Sequence, residues 1–434
     1  MTTLGAAGPI MDWLRMMYRK MEYVVKLGPH HSDAFQSIIG ILARDSLSPG
    51  LWNIYFSDFA VPDRPDDIIF NGHHISHVEQ ADDIKPGKAS KARKSVNALF
   101  GAENFVGTIP PKGGIDVYMA TVDPHLMSAC DVSIDIDSTL LSQMEYVQNR
   151  FIRRLLGIAQ RSPLAMLFSE SGIWPIKYRR IMLALRYWEY ALSLPDDHFL
   201  SYAMTDSLAL ARAKKASWIR DLVHVLQNLN KPVFIDLAHN WLPSDIERII
   251  TDVEQSCLSD ISSFMATSSK ALLLRHRPHP PAHAHPEMLQ KSAVASFRSY
   301  LNVPIPAHRK ALVRLLTSSH TLAVEVLRWA ERRRPPVPHC QHLCRLCGSE
   351  VEDEAHVLLY CDGTGDLQDL RACFFHNIFA LASPPLAAAL KSASFGLHVL
   401  HILLDSDDSR VLTSFAKYVF DVFRVINCTP LYHP

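Results

Sequence analysis

Four side chains in the last third of the chain have the types and the spacing to close a metal site. Cys344, Cys347, His356 and Cys361 stand as Cys-x2-Cys followed, after eight intervening residues, by His-x4-Cys. A Cys-x2-Cys turn delivers two thiolates from one knuckle, and His-x4-Cys returns an imidazole and a third thiolate from the start of a following helix. Four soft or borderline donors in a tetrahedron suit Zn2+. With every position filled, such a site is closed and structural rather than catalytic. Gly348, directly after the second cysteine, permits the tight turn. His339, Cys340 and His342 stand close enough to compete, so spacing alone leaves the ligand set open. The acidic run Glu350 to Glu354 between the two pairs should attract a cation. The other cysteines, Cys130, Cys257, Cys373 and Cys428, are scattered and read as core residues.

Two further groupings bear on phosphate chemistry. Asp82 and Asp83 follow Ala81, and adjacent carboxylates on a turn can hold Mg2+ for phosphoryl transfer if a third carboxylate joins them. The same pair recurs at Asp66-Asp67, Asp196-Asp197 and Asp407-Asp408, so by itself it says little. The second grouping is basic. Arg150, Arg153 and Arg154 recur at i, i+3, i+4, and Arg332, Arg333 and Arg334 close a second basic block. The chain has 44 Lys and Arg against 44 Asp and Glu, yet the charge is segregated. Residues 141–220 hold 12 bases against 6 acids and residues 271–340 hold 11 against 3, whereas residues 350–370 hold seven acids and no base. Two basic helical blocks suit weak, largely non-specific contact with the phosphates of RNA or DNA; the plainer alternative is solvated helix faces.

The elements that must position these groups follow from patterning. At 434 residues and 48% hydrophobic, the chain exceeds one ordinary core and is not of disordered, collagen or coiled-coil composition. Four of its eight cysteines fall within 22 residues, which points to a metal in a reducing intracellular compartment, nuclear or cytoplasmic, rather than to disulfides. Arg15, Arg19 and Lys20 interrupt the first apolar pattern, unlike a secretory leader. The best apolar stretch, Leu386 to Leu404, contains Lys391 and two histidines, so no membrane contact is expected. Helices are predicted around 11–27, 50–59, 141–156, 174–194 and 309–334. A hairpin is predicted around Asn71-Gly72, with strands at 66–71 and 75–78. Residues 85–115 are rich in Lys, Gly and Pro; helical periodicity is predicted to prevail from 115 onward. Residues 275–286 form a Pro/His linker. Walker-type, Gly-x-Ser-x-Gly and Gly-x-Gly-x-x-Gly motifs are absent in usable contexts.

The order of several motifs is similar to a known family. Gly40-Ile-Leu-Ala-Arg-Asp-Ser-Leu-Ser-Pro-Gly-Leu-Trp-Asn53 followed by His77-Val-Glu-Gln-Ala-Asp-Asp83 resembles the reverse-transcriptase palm of non-LTR (LINE-type) retrotransposons. Val147 to Gly157 and Gly172 to Arg180 resemble its thumb and post-thumb region. His320 to Trp329 with the Cys-Cys-His-Cys knuckle is similar to the C-terminal part of such polyproteins. The resemblance covers roughly residues 10–230 and 310–375. It implies an RNA-directed DNA polymerase lineage in which Asp82 and Asp83 are two of three metal-binding carboxylates. The chain departs from the family in several ways. The first metal-binding aspartate would precede Gly40 and is not in this sequence, Ala43-Arg44 stand where the family places Gln-Gly, and Gln80 replaces the usual aromatic residue. Directly after Asp83 comes Ile84-Lys85-Pro86-Gly87-Lys88, so the rest of the palm looks deleted, and the family's endonuclease is not recognisable.

The expected protein is therefore mainly α: a partial palm of α/β type over 1–84, a connector and helical thumb-like region over 85–230, and a variable helical segment with the Pro/His linker over 231–308. A basic helix and zinc knuckle over 309–365 and a C-terminal helical region over 366–434 complete it. The function expected is that of an inactive reverse-transcriptase remnant that keeps nucleic-acid-binding helices and a structural zinc ion, with Mg2+ relevant only to a working polymerase site. The alternatives are a non-catalytic nucleic-acid-binding protein and a pseudogene product without a selected role. No protein partner is indicated.

Overall fold

Apolar residues at helical spacing account for most of the chain in the computed structural model. It describes residues 88–275, 294–329, 335–393 and 396–432, with positions 16, 22, 26–27, 30–31, 33–34, 68–70 and 73–75 before them. The chain divides into two units, Met1–Asp82 and Asp83–Pro434. The segments expected as separate regions over 85–230, 231–308, 309–365 and 366–434 all contribute buried residues to one continuous core.

In the first unit, β1 (Lys26–Leu27) pairs antiparallel with β2 (His30–His31), and β3 (Ile68–Phe70) with β4 (His73–Ile75). Lys26 and Leu27 are thus extended, where the sequence predicts the end of a helix over 11–27. The reason lies in their pairing with the residues just beyond Gly28-Pro29, which the apolar pattern does not register. The second pair brackets Asn71-Gly72 as expected, with Phe70 opposite His73. Its returning strand begins at 73 rather than 75, because a two-residue connection lets pairing resume at once. The helix predicted over 50–59 and the Asp82-Asp83 pair lie outside the described residues.

The second unit begins with α1 (Lys88–Gly101), inside the segment read as a connector. Ala92, Val96 and Phe100 recur every four residues and are buried, while most of the lysines and the arginine point outward. After the single turn α2 (Glu103–Val106) come α3 (Pro111–Thr121), α4 (Asp123–Met127) and α5 (Ser138–Leu156). Asp137 caps α5 by accepting from the Thr139 and Leu140 amides at 2.7 and 3.3 Å. Gly157, in the left-handed region at φ +73°, ends it. The predicted stripe Met144, Val147, Phe151, Ile152 and Leu155 is buried. Phe151 stacks on Tyr118 of α3, with ring centroids 4.5 Å apart, and meets Phe100 at 5.4 Å.

The helices α6 (Leu164–Ser171) and α7 (Ile176–Ser193) follow, then α8 (Phe199–Arg212), α9 (Trp218–Gln227) and the long α10 (Pro243–Thr267). Two adjacent arginines tie α7 to the layer before it. Arg179 forks onto Asp123 at 2.5 and 2.7 Å, and Arg180, almost wholly buried, onto Asp135 at 2.5 and 2.8 Å.

The helix predicted over 309–334 is instead two pieces, α11 (Pro306–Leu316) and the single turn α12 (Ala323–Val326). Hydroxyls break it. Thr317 Oγ1 donates to the Val313 carbonyl at 2.8 Å, the Ser319 amide turns back to Arg314 O at 2.8 Å, and Ser318 takes φ +47°. Arg309, counted in the basic block, is buried and donates to the Val303 carbonyl at 2.6 Å. The chain closes with α13 (Gly365–Leu381), α14 (Pro384–Ser392), α15 (Gly396–Leu404) and α16 (Ser409–Asn427). α16 packs on α11 and α13, with Tyr418 stacked on Phe374 at 4.2 Å. Among the described residues no helix is long and apolar enough to cross a membrane.

Candidate metal centre and arginine cleft

A short antiparallel bridge, Leu343 to Val351, opens the Cys-rich segment. The Cys344 amide donates to Glu350 O and the Gly348 amide to Cys344 O, each at 2.8 Å. Gly348 lies at φ +70°, so the Cys-x2-Cys turn depends on the glycine that the sequence supplies there. On the other side, Asp353 accepts from the His356 amide at 2.7 Å and starts one π-helical turn, His356–Tyr360. The turn ends on Cys361, whose amide returns to His356 O at 2.7 Å. Tyr418 and Arg371 donate to the Leu358 carbonyl, and Arg371 also to Cys361 O at 2.6 Å, so α13 and α16 hold this turn from behind.

These two segments bring the four expected ligands together. Cys344 Sγ and Cys361 Sγ lie 3.7 Å apart, Cys347 Sγ and His356 Nε2 3.4 Å apart, and all four ligand atoms fall within 4.8 Å of one another. Metal–sulfur bonds of about 2.3 Å at tetrahedral angles separate sulfurs by about 3.8 Å, close to the first of these distances. The spread is wider than the about 4 Å expected of a closed set, by less than one metal–sulfur bond. Burial pushes the Cys344 thiol up to about 12 and the Cys361 thiol up as well. Burial also acts on Cys347, but donation from the Ser349 hydroxyl and nearby amides holds it down at about 6. The set can hold a metal ion.

The structure decides what spacing left open. Cys340 is exposed, and His342 is buried with Nε2 on the Val337 carbonyl at 2.9 Å, so neither joins the cluster; nor does His339. Cys130 and Cys257 are core residues as expected, but Cys373 and Cys428 are exposed: one sits on an outer face of α13 and the other just past α16.

The acidic run has a different role from the one its sequence implies. Glu352 is fully buried and paired with Arg345 at 2.7 Å, and Glu354 is buried against His320 Nε2 at 3.0 Å. Burial would raise the Glu354 carboxyl, yet the His320 hydrogen bond and charge hold it below the ordinary carboxylate range. These acids join the knuckle to residues 320–323 instead of facing solvent. Sequence reasoning missed them because an acidic run looks solvated; their alternation, inward at 352 and 354, is the only signal that could have revealed them.

Gly363 closes the back of the site. A Cβ there would meet the Leu346 carbonyl carbon at 2.6 Å and the Cys347 nitrogen at 2.7 Å, both backbone. Gly363→Ala is therefore expected to part Cys347 from Cys361 and to weaken metal binding by about tenfold or more, as disturbing a supporting shell does. Titration against a competing chelator measures this, and an unchanged affinity would refute the close approach.

The basic residues of α5 gather elsewhere. Arg150, Arg153 and Arg154, with Arg314 of α11, line a cleft of about 710 Å³ whose wall also holds Tyr146, Asn149 and Gln160 and contains no carboxylate. Two of the three expected arginines have structural duties as well. Arg153 donates to the Ala159 and Ser162 carbonyls of the loop after α5, and Arg154 lies 4.1 Å over the Phe100 ring and 3.4 Å from Glu103. Arg150 is exposed. Arg332, Arg333 and Arg334 lie outside the described residues, as does the His-rich stretch 276–286. Compared with protein-family models, curated proteins and solved structures, the chain matches none.

Proposed function

We propose that this chain is a nucleic-acid-binding protein without polymerase activity, a remnant of a non-LTR retrotransposon reverse transcriptase, in which a structural zinc ion braces the C-terminal half. The observation that carries the binding reading is the arginine cleft: four arginines from two helices line one concavity whose wall holds no carboxylate, with Arg150 exposed and Arg153 and Arg154 also held by the Ala159 and Ser162 carbonyls and by Glu103. Guanidiniums bind phosphate oxygens through charge-assisted, often bidentate hydrogen bonds, and summed positive charge supplies sequence-independent affinity. The lineage rests on the order of sequence motifs. Zinc is the ion that three thiolates and one imidazole suit best, and with all four positions filled it acts as a crosslink.

The inactivity has its own support. Between Asp83 and α1 only four residues intervene, too few for the strands that would complete a polymerase palm. Without those strands, Asp82 and Asp83 would lack the scaffold that orients carboxylates on Mg2+. Purified protein is expected to extend no primer on an RNA template with Mg2+ or Mn2+; template-dependent incorporation that disappears in Asp82→Ala would overturn the reading. In the same preparation, binding of labelled RNA or DNA should fall steeply with salt, and the charge reversal Arg150→Glu should flatten that slope by about one counterion.

A further inference from the structure

Resting on the nucleic-acid reading above, the geometry points to a narrower ligand: we infer that the arginine cleft takes single-stranded nucleic acid, with a base stacked on Tyr146. Tyr146, Arg150 and Arg153 recur along α5 at i, i+4, i+7 and therefore form one stripe, with the ring at one end and the guanidiniums at the other. Tyr146 is 54% exposed, on the face of α5 away from the buried stripe, so its ring is open to a ligand in the cleft. Aromatic rings interleaved with cations are what unpaired bases and their phosphates require. The ring stacks on any base face, and the cations follow the backbone.

The cleft's dimensions and walls select the strand state. Seven residues of helix span about 10 Å at 1.5 Å per residue. At ~3.4 Å per stacked nucleotide this accommodates about three nucleotides of one strand. A concavity of 710 Å³ is the size of a drug-like ligand site, large enough for an inserted base. Opposite the stripe, Arg314 closes the cleft from α11, its Nε 3.4 Å from the Gly157 carbonyl. It is placed to meet a phosphate as Arg150 does from α5. Double-stranded nucleic acid keeps its bases paired and stacked, and can offer Tyr146 nothing.

The test compares a fluorescein-labelled 12-mer of oligo-dT or oligo-U with a duplex of the same length at low salt, on the full chain, by anisotropy. The single strand should bind more tightly, with quenching of tyrosine fluorescence. Tyr146→Ala should weaken single-strand binding roughly 5- to 150-fold, the equivalent of ~1–3 kcal/mol per stacked base. It should leave the weaker duplex binding unchanged, and Tyr146→Phe should restore the loss. Because the side chain is exposed, each variant's melting temperature should match the parent. Equal binding of both strand states, weakened by Arg150→Glu but indifferent to Tyr146→Ala, would overturn the single-strand assignment and leave the broader reading standing. No binding of either at low salt would overturn both.

Discussion

One zinc ion per chain is the expected result of metal analysis on purified protein, and its removal should produce the largest loss of stability of any single treatment. The ligands hold together two segments that only the loop 348–355 otherwise joins covalently. Cys344 and Cys347 belong to the bridge region, whereas His356 opens and Cys361 follows a π-helical turn held by α13 and α16. Cys344 and Cys361 are almost wholly buried, as are Val357 and Leu358, so releasing the ion loosens part of the main core. Structural zinc contributes about 10–16 kcal/mol of apparent binding free energy in small domains, and here it is coupled to a far larger fold. Chelation, or Cys344→Ala, should lower the melting midpoint by on the order of 10 °C. Cobalt substituted for zinc should show the absorption of tetrahedral thiolate coordination, lost in His356→Ala. A preparation with no bound metal, whose stability is indifferent to chelator, would remove the assignment.

The second large effect concerns Glu352. Its carboxylate is fully buried and accepts from the Ala323 amide at 2.9 Å, the Arg345 amide at 2.8 Å and the Arg345 guanidinium at 2.7 and 3.0 Å. Arg345 reaches on to the Thr321 carbonyl at 2.6 Å and the Thr429 carbonyl at 3.3 Å. One ion pair thus joins the knuckle, the turn before α12 and the end of α16. Truncating one partner leaves the other charge buried without its counterion, which costs about 3–5 kcal/mol. Glu352→Ala and Arg345→Ala are each expected to destabilise by that amount in urea unfolding. The double variant Glu352→Leu/Arg345→Met should lie closer to the parent than either single change, since it buries no lone charge. A Glu352→Ala midpoint within about 1 kcal/mol of the parent would show that the pair is solvated in solution.

Much of the local architecture was legible in the sequence because its causes are local. The apolar stripe of α5, its Asp137 cap and its Gly157 stop involve residues within a few positions of one another, and the pattern placed the helix within a few residues. Asn71-Gly72 marked a hairpin for the same reason. The ligand spacing around Gly348 and Cys361 named four residues that the fold brings together. The pattern misled at two places. A left-handed turn at Ser318, with the Ser319 amide folded back onto Arg314, broke a basic amphipathic run, and a helix over 88–101 formed under a lysine-rich surface that resembled a linker.

What the sequence by itself determined is therefore the supply of groups: a mainly helical chain, a Cys-x2-Cys/His-x4-Cys set and segregated basic blocks. Tertiary structure alone decided which of those groups face each other. It excluded Cys340, His339 and His342 from the cluster, turned Glu352 and Glu354 inward, and buried Arg309. It also brought Arg314 across to the arginines of α5, a juxtaposition of residues about 160 positions apart that no local pattern encodes. The physical reason is the same in each case. A charged side chain follows the helical or turn geometry of its neighbours in sequence, but whether it meets water, a counter-charge or a carbonyl depends on which other element packs over it.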